Sequence, residues 1–224
     1  MAQALKTIFF DVGNTLLFPD RSRILAPLTH KTTPTLEQWQ AIERATKSKF
    51  DDLLQRGGPM DHGFWHMFYS SLLAECGGEE PGLMDVLLAS THDSGNWCVI
   101  RPGTREALQR LGKRYQLAII SNADGRVAEV VRRCGIADCF ASITDSGVVG
   151  HEKPHPVIFQ TALRAMQAKA EESLYVGDVY AVDYLGATAA GMRAVLFDVA
   201  GAYRELGVAR VESLEELETF VSSR

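Results

Sequence analysis

Acidic, hydroxyl, amide and ammonium side chains stand at the ends of short apolar stretches in the 224-residue sequence, or in the loops that follow them. Their types are those that bind metal ions and phosphate groups, and they lie far apart along the chain. The apolar stretches read LKTIFF (5–10), QLAII (116–120) and LYVG (174–177). The residues in question are Asp11, Ser121 with Asn122, Lys153 in a loop, and Asp178 followed by Asp183.

Together these side chains fit phosphoryl transfer. A carboxylate such as Asp11 can attack phosphorus and form an acyl phosphate, which divides one difficult step into two. Because carboxylate and phosphate repel each other, the site needs positive charge. Oxygens of Asp11 and Asp178 suit Mg²⁺, and the Lys153 ammonium can neutralise both the nucleophile and the phosphoryl group. The Ser121 hydroxyl and nearby backbone N–H groups can donate to phosphoryl oxygens.

Each residue taken alone has an ordinary structural interpretation. An Asp after a strand usually forms a turn or caps a helix, and Ser121 and Asn122 are typical turn residues. Lys153 by itself is typical of a solvated surface, and Asp183 fits the positive end of a helix. The ordered set is far more specific than any member, because four such coincidences at strand ends must occur together.

The elements that must position these residues alternate between strand and helix after Arg101-Pro102-Gly103. The pattern predicts strands at 116–120, 140–144, 174–176, 194–197 and 208–211, with helices between them, one of which Thr104 caps. Such alternation indicates a parallel sheet covered on both faces, and right-handed crossovers make it a doubly wound, Rossmann-like α/β core. Ligands of such sheets bind beyond the carboxyl ends of the strands, where the candidate residues would meet.

Residues 18–97 differ in character and predict an inserted all-helical domain without strands. Apolar and aromatic residues recur at helical spacing from about Thr35, again around Phe64 to Leu73, and in a third helix around Leu83 to Leu88. We expect most of these rings to form the core of the insert. The core domain would then comprise residues 1–17 and 98–224, and the cap domain residues 18–97.

Composition restricts the partners. The formal net charge of −5 predicts no broad cationic face for nucleic acid or an anionic membrane. No apolar run reaches the ~20 residues of a membrane helix, and the first ten residues lack the features of a secretory signal. Four cysteines without a CxxC pair indicate reduced thiols. We expect a cytoplasmic protein, monomeric or homodimeric, that binds a small molecule.

The segments FFDVGNTLL, IISNADG, EKPHPVIF and YVGDVYAVDYLGATAAGM resemble the four successive motifs of the haloacid dehalogenase superfamily. The helical insert resembles that superfamily's type 1 cap. The resemblance implies a Mg²⁺-dependent phosphatase of a small phosphorylated metabolite, which forms an aspartyl phosphate. It implies the following roles: Asp11 as nucleophile and metal ligand, Ser121 as phosphate-binding donor, Lys153 as charge-neutralising lysine, Asp178 and the backbone carbonyl of Gly13 as metal ligands, and Asp183 as ligand or support.

One position departs from the phosphatase pattern. Phosphatases of the superfamily usually carry a general acid/base Asp two residues after the nucleophile, where this chain has Gly13. Loss of such a group typically costs ~10²–10⁴ in rate. Three explanations stay open: a substrate with a good leaving group, a proton from His62, His66 or His151, or weak or absent catalysis.

Alternative functions follow from the same departure. Metal-independent 2-haloacid dehalogenases also lack that Asp, and Asn122 resembles their substrate-binding Asn; Gly177-Asp178 favours a metal and a phosphate ester instead. Phosphonate-cleaving relatives use a cap lysine, for which Lys47 and Lys49 are the candidates, although the sequence gives no sign that either is buried. A catalytically idle binding protein is the remaining alternative.

Overall fold

The computed structural model of the protein describes residues 3–28, 33–58, 63–78 and 80–223. Its strands are β1 Thr7–Phe10, β2 Leu17–Pro19, β3 Trp97–Ile100, β4 Gln116–Ser121, β5 Ser142–Asp145, β6 Ser173–Gly177, β7 Arg193–Phe197 and β8 Arg210–Val211. Its α-helices are α1 Arg21–Ile24, α2 Leu36–Gln55, α3 Gly63–Glu75, α4 Leu83–His92, α5 Thr104–Gly112, α6 Val127–Arg133, α7 Ser146–Val149, α8 Pro156–Ala165, α9 Leu185–Ala189 and α10 Leu214–Ser222.

Six strands form one parallel sheet in the order β5-β4-β1-β6-β7-β8. The chain builds outward from β1 to β4 and β5 on one side, and later through β6, β7 and β8 on the other. Strand β1 therefore lies at the point where the direction of winding reverses, which is where doubly wound sheets open a crevice for ligands. The predicted α/β fold class is confirmed.

The two faces of the sheet bury separate apolar clusters, because successive side chains of a strand point to opposite faces. Ile8 and Phe10 of β1 pack with residues of α5, α6 and α10. Phe9, between them, packs on the other face with residues of α8 and α9. All three side chains are fully buried, so β1 is covered on both sides.

The inserted segment, residues 18–97, has a core of its own within its described part. Helices α2, α3 and α4 bury an apolar and aromatic cluster that includes Trp39, Phe68 and Tyr69, as the spacing of the aromatic residues predicted. A capping box fixes the start of α2: the Thr35 hydroxyl accepts from the N–H of Gln38, and the Gln38 side chain accepts from the N–H of Thr35.

The prediction of an insert without strands misses a short antiparallel ribbon at its boundary. Strand β2 pairs with β3, so the chain enters and leaves the segment 18–97 along two hydrogen-bonded strands. The segments are too short for alternation to reveal them, and Pro19 weakened the pattern further. Within the ribbon, the side chain of Arg101 lies over the ring of Phe18 at 4.5 Å.

Other local differences are small. Gly103, in the left-handed region at φ 81°, occupies the N-cap of α5, while Thr104 is a buried first-turn residue that caps nothing. The predicted helix at 181–190 begins as a π-helical turn, Tyr180–Tyr184, before α9. Among the described residues, no helix combines the length and apolarity that a lipid bilayer would require. The four cysteines form no disulfide with one another.

Candidate active site

Three adjacent strands of the sheet end in candidate residues. Phe10 pairs with Ile119 of β4 and with Val176 of β6. One or two residues after these paired positions, the three strands reach Asp11, Ser121 and Asp178, respectively. Backbone pairing continues past β1, since the Asp11 N–H donates to the Val176 carbonyl at 2.8 Å. The sheet register alone thus brings a carboxylate, a hydroxyl and a second carboxylate to one edge.

Lys153 joins this edge from the loop before α8. Its ammonium lies 2.6 Å from Asp11 Oδ1 and 2.8 Å from Asp183 Oδ1, and it donates to the Tyr175 hydroxyl at 2.8 Å. The residue is almost completely buried, at 2 % exposure. A lysine buried in this way requires paired carboxylates, and here two of them bond the same ammonium.

Asp183 is held by hydrogen bonds on both oxygens. Oδ1 accepts from Lys153 and from the Tyr175 hydroxyl, which lies at 3.0 Å, while Oδ2 accepts from the N–H groups of Asp178 and Val179 at 3.1 and 2.9 Å. A carboxylate has about four lone-pair positions, so these four contacts use its full capacity. Asp183 therefore ties the loop after β6 to Lys153.

Gly177 is necessary for this arrangement because Asp183 packs directly against it. A Cβ at residue 177 would lie 2.5 Å from Asp183 Cγ and 2.7 Å from its Cβ. The π-helical turn at Tyr180–Tyr184 carries Asp183 back toward the strand end, and such turns are frequent at functional sites.

The carboxylates of Asp11, Asp178 and Asp183 offer oxygens within 4.8 Å of one another. This buried, all-oxygen donor set fits a hard divalent cation such as Mg²⁺.

Burial raises the pKa of Asp11 to about 7, although Lys153 lowers it, and Asp183 and Asp178 raise it further. Burial likewise raises the pKa of Asp178 to about 6, against the effect of Lys47. For Lys153, burial lowers the pKa, but Asp11 and Asp183 outweigh it and hold the ammonium pKa above its ordinary value.

The Asn122 side chain makes two hydrogen bonds to the backbone of Lys153, one as donor and one as acceptor. Its Nδ2 donates to the Lys153 carbonyl at 3.0 Å, and its Oδ1 accepts from the Lys153 N–H at 2.7 Å. The side chain also borders the cavity at this edge, as does Ser121. Asn122 thus fixes the position of Lys153, a role that its spacing in the sequence did not reveal.

Two polar residues, the last of β5 and the next along the chain, hold the loop that follows Ser121. Asp145, buried, accepts from the N–H groups of Gly125 and Val127, both at 3.1 Å. The Ser146 hydroxyl accepts from the Ala123 N–H at 2.9 Å. Neither residue stood out in the sequence, since an Asp-Ser pair at the end of a strand has no distinctive pattern.

The inserted segment contributes a buried cation to the same site. Lys47 on α2, at 1 % exposure, lies 2.8 Å from Asp178 Oδ2 and 3.0 Å from Glu43 Oε1. Burial lowers its pKa, but Asp178 and Glu43 outweigh it, so the ammonium pKa is well above its ordinary value. Schiff-base chemistry requires a neutral amine, so this environment disfavours that role. Lys49 is exposed.

One turn further along α2, Asp51 makes a second buried connection to the core domain. Its Oδ1 accepts from the Ala181 N–H at 2.8 Å, and its Oδ2 accepts from the Tyr203 hydroxyl at 2.9 Å. That hydroxyl in turn accepts from the Tyr180 N–H at 3.1 Å. The N–H of Tyr203 donates to buried Asp198. Helix α2 therefore contacts the loop after β6 and the loop after β7 through polar groups.

A cavity of about 440 Å³ opens between the strand ends and the inserted segment. Asp11, Ser121, Asp178 and Asp183 border it, and so do four aromatic rings. The ring of Trp97 packs on the backbone at Gly13, where a Cβ would lie 3.2 Å from ring atom Cζ3. The position without a general acid is therefore covered by an indole.

The candidate histidines differ in their relation to the cavity. His66 and His151 are exposed and do not border it, and His151 instead stacks on His155. His62 lies outside the described residues. His92, at the end of α4, does border the cavity. Its position in the sequence gave no sign of this, because it ends a helix of the insert.

Comparison with known proteins identifies the family. The family described as haloacid dehalogenase-like hydrolases matches residues 5–191. The chain belongs to the haloacid dehalogenase-like hydrolases. A glyceraldehyde 3-phosphate phosphatase from Methanothermobacter thermautotrophicus is 33 % identical over 200 residues, which cover 86 % of this chain and 85 % of that protein.

Solved structures of haloacid dehalogenase-like hydrolases share the fold. The HAD-hydrolase YfnB from Bacillus subtilis, bound to magnesium, aligns with a TM-score of 0.70 at 20 % identity and covers 98 % of this chain and 99 % of its own. A 2-haloacid dehalogenase from Pseudomonas syringae pv. tomato aligns with a TM-score of 0.58 at 25 % identity, with coverage of 98 % and 99 %. The predicted family resemblance is confirmed, and the fold alone does not separate phosphatases from dehalogenases.

Proposed function

We propose that this hydrolase is a Mg²⁺-dependent phosphatase of a small phosphorylated metabolite, with Asp11 as its nucleophile. The phosphatase relative, similar over most of both chains, supports a phosphate-ester hydrolase, as the sequence predicted. The observation that carries the proposal is the buried cluster of Asp11, Asp178 and Asp183 beside the Lys153 ammonium at the edge of a cavity.

The proposed reaction has two steps. The Asp11 carboxylate, whose Oδ1 accepts from Lys153, is proposed to attack phosphorus. The bond from phosphorus to the ester oxygen then breaks, and that oxygen leaves as an alcohol once it has taken a proton. Water next hydrolyses the aspartyl phosphate, which restores the carboxylate and releases inorganic phosphate. Lys153 offsets negative charge in both steps, and Ser121 is positioned to donate to phosphoryl oxygens.

The residues proposed to hold Mg²⁺ are Asp11, Asp178 and the carbonyl of Gly13. When bound, the ion supplies positive charge that offsets the charge on the phosphoryl group. Asp11 and Asp178 each keep one oxygen without a lysine partner, whereas hydrogen bonds occupy both oxygens of Asp183. We therefore assign Asp183 to support of Lys153 and the loop after β6. Asn122 is assigned to positioning Lys153 rather than to direct substrate binding.

Within the part of the chain that the structure describes, two explanations account for the missing general acid at Gly13. Gly13 cannot move a proton, and exposed His66 and His151 do not border the cavity. The substrate has a good leaving group, or His92 supplies the proton from the cavity wall. A series of aryl phosphates with different phenol pKa values separates the two. A steep dependence of rate on phenol pKa in the wild type, unchanged in His92→Gln, supports the first; a dependence that becomes steeper in His92→Gln supports the second.

The function is tested by phosphate release from p-nitrophenyl phosphate, glyceraldehyde 3-phosphate and a panel of phosphorylated metabolites, with Mg²⁺ and with EDTA. We expect turnover that EDTA stops and that Asp11→Asn abolishes while the circular dichroism spectrum stays unchanged. Acid-quenched enzyme should yield a phosphorylated peptide that contains Asp11. Absence of turnover across the panel favours the idle binding protein. Halide release from 2-haloacids that EDTA leaves unchanged favours the dehalogenase.

A further inference from the structure

One part of the cavity lining is a continuous row of aromatic rings. The centroids of Trp97 and Trp65 are 5.6 Å apart, those of Trp65 and Phe64 are 5.0 Å apart, and those of Phe64 and Phe50 are 5.6 Å apart. All four rings border the cavity. Trp97, Trp65 and Phe64 are only partly buried, so their faces or edges remain available to a bound molecule. We name this row the aromatic wall.

The aromatic wall begins where the leaving group would depart. Trp97 packs on the backbone of Gly13, two residues after the proposed nucleophile. From there the wall runs along the inserted segment to Phe50 on α2. A substrate with its phosphoryl group at Asp11 would therefore place the rest of its structure against these rings, where contact with apolar or flat groups is favourable.

The charges around the cavity disfavour a second anionic group on the substrate. Among the described residues that border the cavity there is no lysine or arginine, and His92 is the one side chain able to carry a positive charge. Lys47 and Lys153 are buried against carboxylates and do not border the cavity. Beyond the strand-end carboxylates, Glu152 adds an exposed acidic group to its border, and so does Asp124, which is ion-paired with Arg126. A carboxylate or second phosphate there would lose water without gaining a cation.

We propose that the substrates of this site are phosphate monoesters whose remaining part is uncharged or cationic and presents an apolar or aromatic face. This inference rests on the proposed phosphatase function. It excludes bisphosphates and phosphorylated carboxylic acids as preferred substrates. A cationic group is compatible with the site, because indole faces and the Glu152 carboxylate both attract cations.

The proposal is tested with three aryl phosphates that differ only in a remote charge: 4-ethylphenyl phosphate, phosphotyramine and 4-(2-carboxyethyl)phenyl phosphate. Two methylene groups insulate each charge from the phenol, so the leaving groups are closely matched. We expect the carboxylate compound to have a kcat/KM at least about tenfold below that of the ethyl compound. Phosphotyramine should lie within a few-fold of the ethyl compound.

Two variants connect the selectivity to the named residues. Glu152→Gln should raise kcat/KM for the carboxylate compound several-fold relative to kcat/KM for the ethyl compound. Trp65→Leu, which keeps an apolar side chain, should raise KM for 4-ethylphenyl phosphate while KM for acetyl phosphate stays the same. If Trp65→Leu does not fold, Phe64→Leu replaces it in the same comparison.

The outcomes separate this inference from the function on which it rests. Hydrolysis of p-nitrophenyl phosphate that depends on Asp11, together with equal or better turnover of the carboxylate compound, overturns the substrate class and leaves the phosphatase standing. If Trp65→Leu changes KM equally for 4-ethylphenyl phosphate and acetyl phosphate, the aromatic wall does not bind the substrate's apolar part. No hydrolysis of any phosphate ester, p-nitrophenyl phosphate included, overturns the proposed function itself.

Discussion

At the scale of single residues, Gly177 determines where the Asp183 carboxylate lies, because the two residues are in direct contact. Gly177→Ala would place a methyl group 2.5 Å from Asp183 Cγ. Asp183 would have to move away from Lys153 and from the loop after β6. We expect kcat to fall by at least about tenfold and the free energy of unfolding to fall by about 1–3 kcal/mol. Steady-state kinetics and urea denaturation measure both effects.

A matched control for this change is available in α5. A Cβ at Gly112 would meet Leu117 Cδ1 at 3.9 Å, an ordinary contact. Gly112→Ala should therefore leave kcat unchanged and stabilise the helix slightly. Full activity of Gly177→Ala would contradict the role assigned to Asp183.

How well single residues can be predicted depends on whether a strand end positions them. Asp11, Ser121 and Asp178 follow apolar stretches, so topology alone brought them together. Tyr175 inside β6 reads as an ordinary core residue, yet its hydroxyl bonds Lys153. Trp97 reads as one more aromatic residue of the insert, and its contact with Gly13 depends on a fold that no local pattern encodes.

At the scale of elements, helix α2 supplies both an ammonium and a carboxylate to the core domain. Lys47→Met removes the cation between Glu43 and Asp178 and leaves a buried carboxylate without its partner. Removal of one member of a buried ion pair typically costs about 3–5 kcal/mol of stability. We expect the free energy of unfolding of Lys47→Met to fall toward that range. Lys49→Met, an exposed change on the same helix, serves as the control. Equal unfolding midpoints for the two variants in urea would show that the Lys47 ion pair contributes nothing.

The Asp51 contacts give a second prediction for α2. Asp51→Ala leaves the Ala181 N–H without its acceptor and the Tyr203 hydroxyl without its partner. A buried polar group left without a hydrogen-bond partner costs about 1–3 kcal/mol, so we expect the free energy of unfolding to fall by this order. Asp52→Ala, at the exposed neighbouring position, should change stability little. Limited proteolysis should also cleave the inserted segment faster in Asp51→Ala, and equal cleavage rates would argue against α2 as the fastening element.

The elements themselves were largely predictable, whereas their docking was not. Helical spacing from about Thr35 predicted α2, and the aromatic spacing of α3 predicted its helix. The burial of Lys47 and Asp51 follows from contact between α2 and loops more than 100 residues away in the sequence. Helical periodicity treats these charged residues as solvated, since it carries no information about a partner surface of opposite charge.

At the scale of the whole molecule, the raised pKa values of Asp11 and Asp178 couple folding to pH. Their pKa values rise from 3.8 to about 7 and about 6 in the metal-free protein. Between about pH 4 and 7 the folded protein therefore holds protons that the unfolded chain has released. Stability from these groups is fully present below the unfolded pKa and is lost as pH rises through the folded values.

The comparison that isolates this effect uses the double variant Asp11→Asn with Asp178→Asn. In EDTA, the unfolding free energy of the wild type relative to the variant should fall from pH 4 to 7 and level off above. Added Mg²⁺ should stabilise the wild type more at pH 8 than at pH 5, because the ion binds ionised carboxylates. Parallel curves for the two proteins in EDTA would contradict the raised pKa values.

The ribbon of β2 and β3 has a consequence for how such proteins diversify. The outgoing and returning strands are hydrogen-bonded neighbours, with Leu17 opposite Ile100. A foreign stretch of any length could therefore be spliced between them without disturbing the parallel strands. A chimaera must preserve a lysine and an aspartate spaced as Lys47 and Asp51, because these side chains bond Asp178 and Tyr203, which lie outside the inserted segment. Recombination at this boundary is therefore constrained by the polar contacts that cross it, which include those of Lys47 and Asp51 and the hydrogen bond from Arg44 to the Ala200 carbonyl.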